Sequence, residues 1–168
     1  MFTACPESRL WRDRRVYRSS LLAKIKPLKQ CAIFSSLNDR ELALFSRIVS
    51  EEDYIQGTVL VAESMKSDKF YLIEKGEVAI RAGGVHGDRE LVLGEGDSFG
   101  EWSLLAPQHL TSVTAKVTSP AQVLVLARED FDEFAQTEPA IAMKIAYGVI
   151  GSLWASIKEV EGIMKECL

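Results

Sequence analysis

From about Glu51 to Leu126 the chain gives up helical spacing for short apolar runs cut at close intervals by turn residues. No other feature restricts its folding as much. The runs are Thr58–Val61, Phe70–Ile73, Glu77–Ile80, Arg89–Leu93, Ser112–Val117 and Ala121–Leu126, separated by Gly57, Gly76, Gly83-Gly84, Gly94, Gly96 and Pro120. Each run is rich in β-branched and large apolar residues that suit a pleated, half-buried surface. Many such runs at near-regular spacing read as strands of a sandwich or barrel.

Helical periods flank this block. Tyr17, Leu21, Ile25 and Leu28 form one apolar stripe, which predicts a helix from about Asp13 to Ala23 or a little beyond, punctuated by Pro6 and Pro27. Ser36 or Asn38 precedes Glu41 and the apolar Leu42, Leu44, Phe45 and Ile48, the pattern of a capped amphipathic helix. After Arg128 the acids Glu129, Asp130 and Asp132 suit a helix N-terminus. Pro139 then suits the first turn of a long helix reaching about Lys165, with the stripe Ile141, Ile145, Val149, Leu153, Ile157, Val160 and Met164.

Composition bounds the function. With 168 residues, 47% hydrophobic and 26% charged, the chain is an ordinary globular domain with one core. It holds no uninterrupted run of 18 apolar residues and no apolar leader, so no membrane span or secretory signal is expected, and the cytoplasm is the expected compartment. Cys5, Cys31 and Cys167 are scattered, unlike a disulfide framework or a metal site. His86 stands in a glycine turn without a partner motif, and Glu51-Glu52 reads as a solvated strand edge. No nucleophile or acid–base constellation is present, so catalysis is not expected. Residues 1–30 carry eight basic side chains against Glu7 and Asp13, a net +6 on a chain of net -4. A basic head of this kind binds an anionic partner such as nucleic acid, docks on the acidic body, or stays solvated. The chain divides accordingly into a basic helical extension, residues 1–30, and a domain spanning 31–168.

The segment Gly94-Glu95-Gly96-Asp97-Ser98-Phe99-Gly100-Glu101-Trp102-Ser103-Leu104-Leu105 is where a ligand would sit. A glycine turn leads into one helical turn, where outward amides attract anions and glycine admits close backbone approach. A carboxylate there would repel phosphate, so Glu101 makes sense facing a hydroxyl. The plain alternative is an ordinary turn with a short helix.

The order of elements now resembles the cyclic-nucleotide-binding domain family of bacterial catabolite activators and protein kinase A regulatory subunits. The resemblance runs from about residue 34 to 160. It rests on Gly57-Thr58-Val59-Leu60, on Phe70-Tyr71-Leu72-Ile73-Glu74-Lys75-Gly76-Glu77-Val78, on Leu93-Gly94-Glu95-Gly96-Asp97-Ser98-Phe99-Gly100-Glu101 and on Ser112-Val113-Thr114-Ala115. It implies a mainly β fold with α: a jelly-roll-like barrel, or double-stranded β-helix, flanked by N-terminal helices and a C-terminal short helix plus long helix. It implies a ligand, cyclic AMP or cyclic GMP, held by Gly100, Glu101, Trp102 and Ser103, with Glu101 on the ribose hydroxyl. His109, Leu110, Thr111 and Ser112 would form the return of the loop.

The family's phosphate-binding arginine has no counterpart. Alignment on Ser112-Val113 puts His109 there; alignment on Gly100-Glu101 puts Leu110 there; and no Lys or Arg lies between Arg89 and Lys116. Loss of one charge-assisted bond of about 1.5–3 kcal/mol weakens binding by roughly 10–150-fold. Ser64 replaces a usual glycine, and Trp102 replaces a medium aliphatic residue, where a buried indole would fill ligand space.

The expected function is therefore a regulatory or sensor module that binds a cyclic mononucleotide weakly. The alternative is a degenerate, non-binding domain acting as a protein-interaction or dimerisation scaffold. A second apolar face on the last helix, Ala140, Ala142, Ala146, Ile150 and Trp154, with the small-residue line Gly148, Ser152 and Ser156, points to a homodimer through that helix. Burial against the N-terminal helix is the competing use of that face. The chain ends at Leu168, so no DNA-binding domain is expected after the helix, and output would pass to an effector protein whose identity the sequence leaves open.

Overall fold

The computed structural model describes residues 15–17, 21–83, 89–106 and 110–166. Its strands are β1 (Arg15–Tyr17), β2 (Ser50–Tyr54), β3 (Val59–Val61), β4 (Lys69–Ala82), β5 (Arg89–Leu93), β6 (Ser98–Phe99) and β7 (Thr114–Ala127). Its helices are α1 (Leu21–Gln30), α2 (Asp39–Phe45), α3 (Trp102–Leu105), α4 (Arg128–Thr137) and α5 (Pro139–Glu166), with a 3-10 turn at Ala32–Phe34. All pairing is antiparallel in the order β1-β2-β7-β4-β5, with β3 on β7 and β6 on β4. This is the expected jelly-roll-like barrel between N-terminal helices and a short and a long C-terminal helix.

Period-2 alternation builds two cores from one sheet. Tyr71 and Ile73 of β4, with Val123 and Val125 of β7, face the barrel interior beside Val61, Val78, Phe99 and Val117. Their neighbours Phe70, Leu72, Leu124 and Leu126 face the helices. A strand buried on both faces reads as a continuous apolar run, which is why Val123–Leu126 does not alternate. On the helical side Phe34 lies 4.9 Å from Phe45 and 5.8 Å, edge-on, from Phe70, with Phe45 5.8 Å from Phe134. These rings gather the 3-10 turn, α2, β4 and α4 around one cluster.

Four strands of the sequence reading merge into two. Phe70–Ile73 and Glu77–Ile80 are one 14-residue strand, β4, and the runs on either side of Pro120 are one 14-residue strand, β7. Gly76 and Pro120 do not turn the chain. They sit together where the β4–β7 register shifts, Lys75 opposite Gln122 and Glu77 opposite Ser119. Gly76 has φ +88°, and a Cβ there would collide with the Pro120 carbonyl oxygen. Proline lacks a ladder donor and tolerates such a bulge, so both strands bend in step and the sheet curls.

The N-terminus also departs from expectation. The helix predicted over about Asp13–Ala23 is displaced: β1 occupies 15–17 and α1 runs from Leu21 through Pro27 to Gln30. In β1, Arg15 stands opposite Asp53 and Tyr17 opposite Glu51 of the acidic strand β2. This backbone pairing sets residues 15–17 beside the acidic strand β2. Glu52 is not a solvated edge residue; it is 1% exposed and accepts hydrogen bonds from Ser50 Oγ at 3.1 Å and from Tyr54 Oη. The charge boundary at residue 30 is not a gap in packing, since Leu28 lies in the helical core.

Asn38 caps α2, accepting from Glu41 N at 3.0 Å while Glu41 Oε2 accepts from Asn38 N at 2.9 Å. Glu41 also takes Lys144 Nζ at 2.7 Å, which ties α2 to α5 and holds the Glu41 carboxyl below its ordinary range. Helix α5 packs inward through Ile141, Ala142, Ile145 and Val149. Gly148 lies against the Ile33 backbone so closely that a Cβ would overlap the Ile33 carbonyl oxygen. The start of the small-residue line therefore serves contact within the chain rather than with a partner. By length and composition, residues 139–158 of α5 reach what a membrane-crossing helix needs, which a search for an uninterrupted apolar run misses. Gly148 and Lys144 tether this stretch to the rest of the chain.

Candidate functional site

The glycine turn before β6 is pinned to β4. Gly96 N donates to Ile73 O at 2.9 Å, Ile73 N donates to Asp97 O at 2.9 Å, and Gly94 N donates to the Asp97 carboxylate at 2.9 Å. Strand β6 then pairs Phe99 with Tyr71, their rings stacked at 4.8 Å. This fixes where Gly100 must reverse the chain. Its φ is +83°, and a Cβ there would stand 2.5 Å from the Lys69 carbonyl oxygen, so only glycine fits.

Glu101 follows as the cap of α3. Its Oε1 accepts from Ser98 Oγ at 3.0 Å, which orients the carboxylate back across the turn. Ser103 is 3% exposed and donates its hydroxyl to Gly100 O, while Ser103 N returns to Gly100 O at 3.0 Å and Leu104 N to Glu101 O at 3.1 Å. These hydrogen bonds close the turn on its own backbone and side chains. Trp102 is 53% exposed, so its indole does not fill the protein interior as a buried one would.

Arg128, which the sequence reading passed over, holds this turn to the C-terminal helices. Its Nη1 donates to Ser103 O at 3.0 Å, its Nε pairs with Asp132 at 3.1 Å, and its N donates to Asp68 O at 2.7 Å. One residue therefore joins α3, the approach to β4 and the start of α4. Local sequence pattern shows only its i,i+4 pairing with Asp132, because Ser103 and Asp68 are distant along the chain.

The loop's return is strapped to residues 62–66. Leu110 forms an antiparallel bridge with Lys66. Thr111 N donates to Met65 O at 3.0 Å, Ser64 N donates to Thr111 O at 2.8 Å, and Thr111 Oγ1 donates to Ala62 O at 2.6 Å. Ser64 has φ +63°, the left-handed backbone that the expected glycine would adopt without strain. Leu110 is 55% exposed and Ser112 is exposed. A cavity of about 180 Å³ opens beside the strap, lined by residues including Leu60, Val61, Met65, Lys66 and Tyr71.

Gly100, Glu101, Trp102 and Ser103 thus share one turn. Leu110 and Thr111 meet the same 64–70 segment that Gly100 rests on. His109 and His86 lie outside the described residues. Among the described residues, no group of three or more His, Cys, Asp or Glu could hold a metal ion. Burial pushes the Cys31 thiol up, which disfavours its reactive thiolate.

Comparison with known proteins agrees with this geometry. A family model described as "Cyclic nucleotide-binding domain" matches residues 51–138. The chain is 31% identical over 136 residues to a cAMP-dependent protein kinase regulatory subunit of Aspergillus niger, covering 75% of this chain and 32% of that protein. It is 29% identical over 107 residues to the cGMP-dependent protein kinase egl-4 of Caenorhabditis elegans, covering 62% of this chain and 14% of that protein. The chain thus spans a third or less of those two relatives. A crystal structure of a cyclic nucleotide-binding domain from Methylobacillus flagellatus superposes with TM-score 0.81 at 17% identity, covering 97% of this chain and 94% of that one. The regulatory subunit of a cAMP-independent protein kinase A from Trypanosoma brucei, in a triple mutant bound to cAMP, superposes with TM-score 0.65 at 19% identity, covering 81% and 46%. A family model matching more than half of the chain, on a barrel that carries the Phe99-Gly100-Glu101 turn where the resemblance requires it, shows that this chain belongs to the cyclic nucleotide-binding domain family.

Proposed function

We propose that the chain is a regulatory module that binds cyclic AMP or cyclic GMP in the loop from Gly100 to Ser112, and that it acts without catalysis of its own. The observation that carries this reading is the Gly100 turn: a glycine that admits no side chain, followed by a carboxylate held across the turn by Ser98. The amides at the start of α3 take the cyclic phosphate, and Glu101 takes the ribose hydroxyl. Gly100, Glu101, Trp102 and Ser103 form the near side of the site, and His109, Leu110, Thr111 and Ser112 the far side. Binding tightens α3, and Arg128 passes the change to α4 and α5 through Ser103 O.

The same reading takes residues 31–168 as the binding domain and 1–30 as an extension. It places the protein in the cytoplasm, off the membrane, as a homodimer signalling to an effector protein. Support for the homodimer comes from the outer face of α5. Met143, Tyr147, Ile150, Trp154 and Ile157 are each at least half exposed and recur at intervals of four, three, four and three. That is a heptad seam, which pairs best with a second copy of itself.

Thermal stability in the presence of cyclic nucleotide tests the reading. A ligand at 100 times its Kd raises stability by about 2.7 kcal/mol. A rise in Tm at millimolar cyclic AMP or cyclic GMP, with altered hydrogen exchange in α5, supports the switch. An unchanged Tm contradicts binding, and binding with unchanged exchange in α5 contradicts the switch.

A second reading, a non-binding scaffold, is favoured by the strap. Thr111 is engaged with Ala62 and Met65, and exposed Leu110 occupies one of the two positions where an arginine is expected. The trypanosomal neighbour is itself described as cAMP-independent, and the mutant bound to cAMP includes a threonine-to-arginine change.

A further inference from the structure

The strap that returns the cassette loop brings a cation to the loop from outside it. Lys66 stands directly opposite Leu110 in an antiparallel bridge. Residues so opposed project from the same face, with Cβ atoms about 4.5–5.5 Å apart. Leu110 is one of the two positions at which the sequence puts the missing arginine. A lysine across the bridge therefore lies within one side-chain length of the place where a phosphate would need a positive charge.

Three further observations single out Lys66. It is exposed, and among the described residues it has no ion pair. It lines the 180 Å³ cavity beside the strap together with Leu60, Val61 and Tyr71. The other cations adjoining the cassette are engaged: Arg128 holds Ser103 O and Asp132, and Lys69, whose carbonyl lies under Gly100, has a partner of its own. Asp68 also lines the cavity and adds a negative charge to its rim.

We propose that Lys66 supplies the phosphate-neutralising charge of this site from the strap, in place of an arginine within the loop. The proposal rests on the reading that the cassette takes a cyclic nucleotide. A lysine is a compact, strongly hydrated point charge, without the planar fork that grips two phosphate oxygens at once. The site it makes is weaker than an arginine site and more sensitive to salt. The same residue confers selectivity for charged ligands over the corresponding nucleoside.

The test is calorimetric titration of the full chain with cyclic AMP and with cyclic GMP, comparing wild type, Lys66→Ala and Lys66→Arg at about 50 and about 300 mM salt. Lys66 is exposed, so equal melting temperatures will confirm that the variants fold. The expected result is about tenfold weaker binding and a flatter salt dependence in Lys66→Ala, with affinity kept or improved in Lys66→Arg. Wild-type binding that Lys66→Ala leaves unchanged at both salts overturns the role of Lys66 and leaves the cassette reading standing. Silence of the wild type toward both nucleotides overturns the cassette reading, and the role of Lys66 with it.

Discussion

The left-handed backbone of Gly100 lies on the carbonyl oxygen of Lys69, with φ at +83° and room of only 2.5 Å for a Cβ. Two penalties therefore meet at one residue. Gly96 has nearly the same conformation, φ +89°, but nothing within 4 Å. Gly96→Ala is expected to cost about 1 kcal/mol, the conformational term alone. Gly100→Ala is expected to cost more than about 2 kcal/mol, because the β4 backbone must also move. Urea melts of both variants check this, and equal losses would contradict the contact.

Gly148 gives a sharper sign. In an exposed helix interior, glycine to alanine stabilises by up to about 1 kcal/mol. Here the new Cβ would overlap the Ile33 carbonyl oxygen, so Gly148→Ala is expected to destabilise and to loosen α5 from the 3-10 turn. Thermal melts give the sign, and a stabilised variant would contradict the docking of α5 on Ile33.

Much of this was legible in the sequence, for identifiable reasons. The α2 cap could be read because Asn38 and Glu41 are three residues apart and answer each other. The site turn could be read because Gly100 and Glu101 state their own backbone needs locally. The bends of β4 and β7 could not, since Gly76 reads as a turn until Pro120 is seen opposite it. The displaced N-terminal helix failed for a similar reason. Tyr17 shares a helical stripe with Leu21 and Ile25, yet it pairs opposite Glu51 of β2, a strand more than thirty residues on, and so joins the sheet. Lys66 and Arg128 carry no local mark, because Leu110 opposite the first and Ser103 and Asp68 beside the second lie far away along the chain.

The acidic face of the sheet makes stability depend on pH. Burial, then the Glu51 charge and, more weakly, Asp53, push the Glu74 carboxyl up to about 7 from its ordinary 4.5, with Lys75 and Lys24 opposing. The folded state thus binds this proton more tightly than the unfolded chain. Its contribution is fully present below about pH 4.5 and is lost as pH rises through 7. Glu74→Gln removes that loss. The variant is expected to gain on the order of 1 kcal/mol over wild type at pH 8 relative to pH 5, after allowance for solvent screening. Chemical denaturation at the two pH values checks this, and a constant difference would contradict it.

The outer seam of α5 is separable from its inner face. Tyr147 and Trp154 are 66% and 57% exposed, so Tyr147→Glu and Trp154→Glu leave the fold intact. Sedimentation velocity is expected to show a wild-type dimer and a monomeric double variant with an unchanged fold by circular dichroism. A wild-type monomer, or a double variant that still dimerises, would contradict pairing through this seam.

The central claim is that the Gly100–Ser103 turn holds a cyclic nucleotide, with Glu101 on the ribose hydroxyl. Calorimetric titration of the wild type and of Glu101→Gln with cyclic AMP and cyclic GMP tests it most directly. The account predicts saturable one-to-one binding of at least one nucleotide by the wild type, weakened roughly tenfold or more in the variant. No heat and no saturation with either nucleotide, or equal binding by the variant, would contradict it.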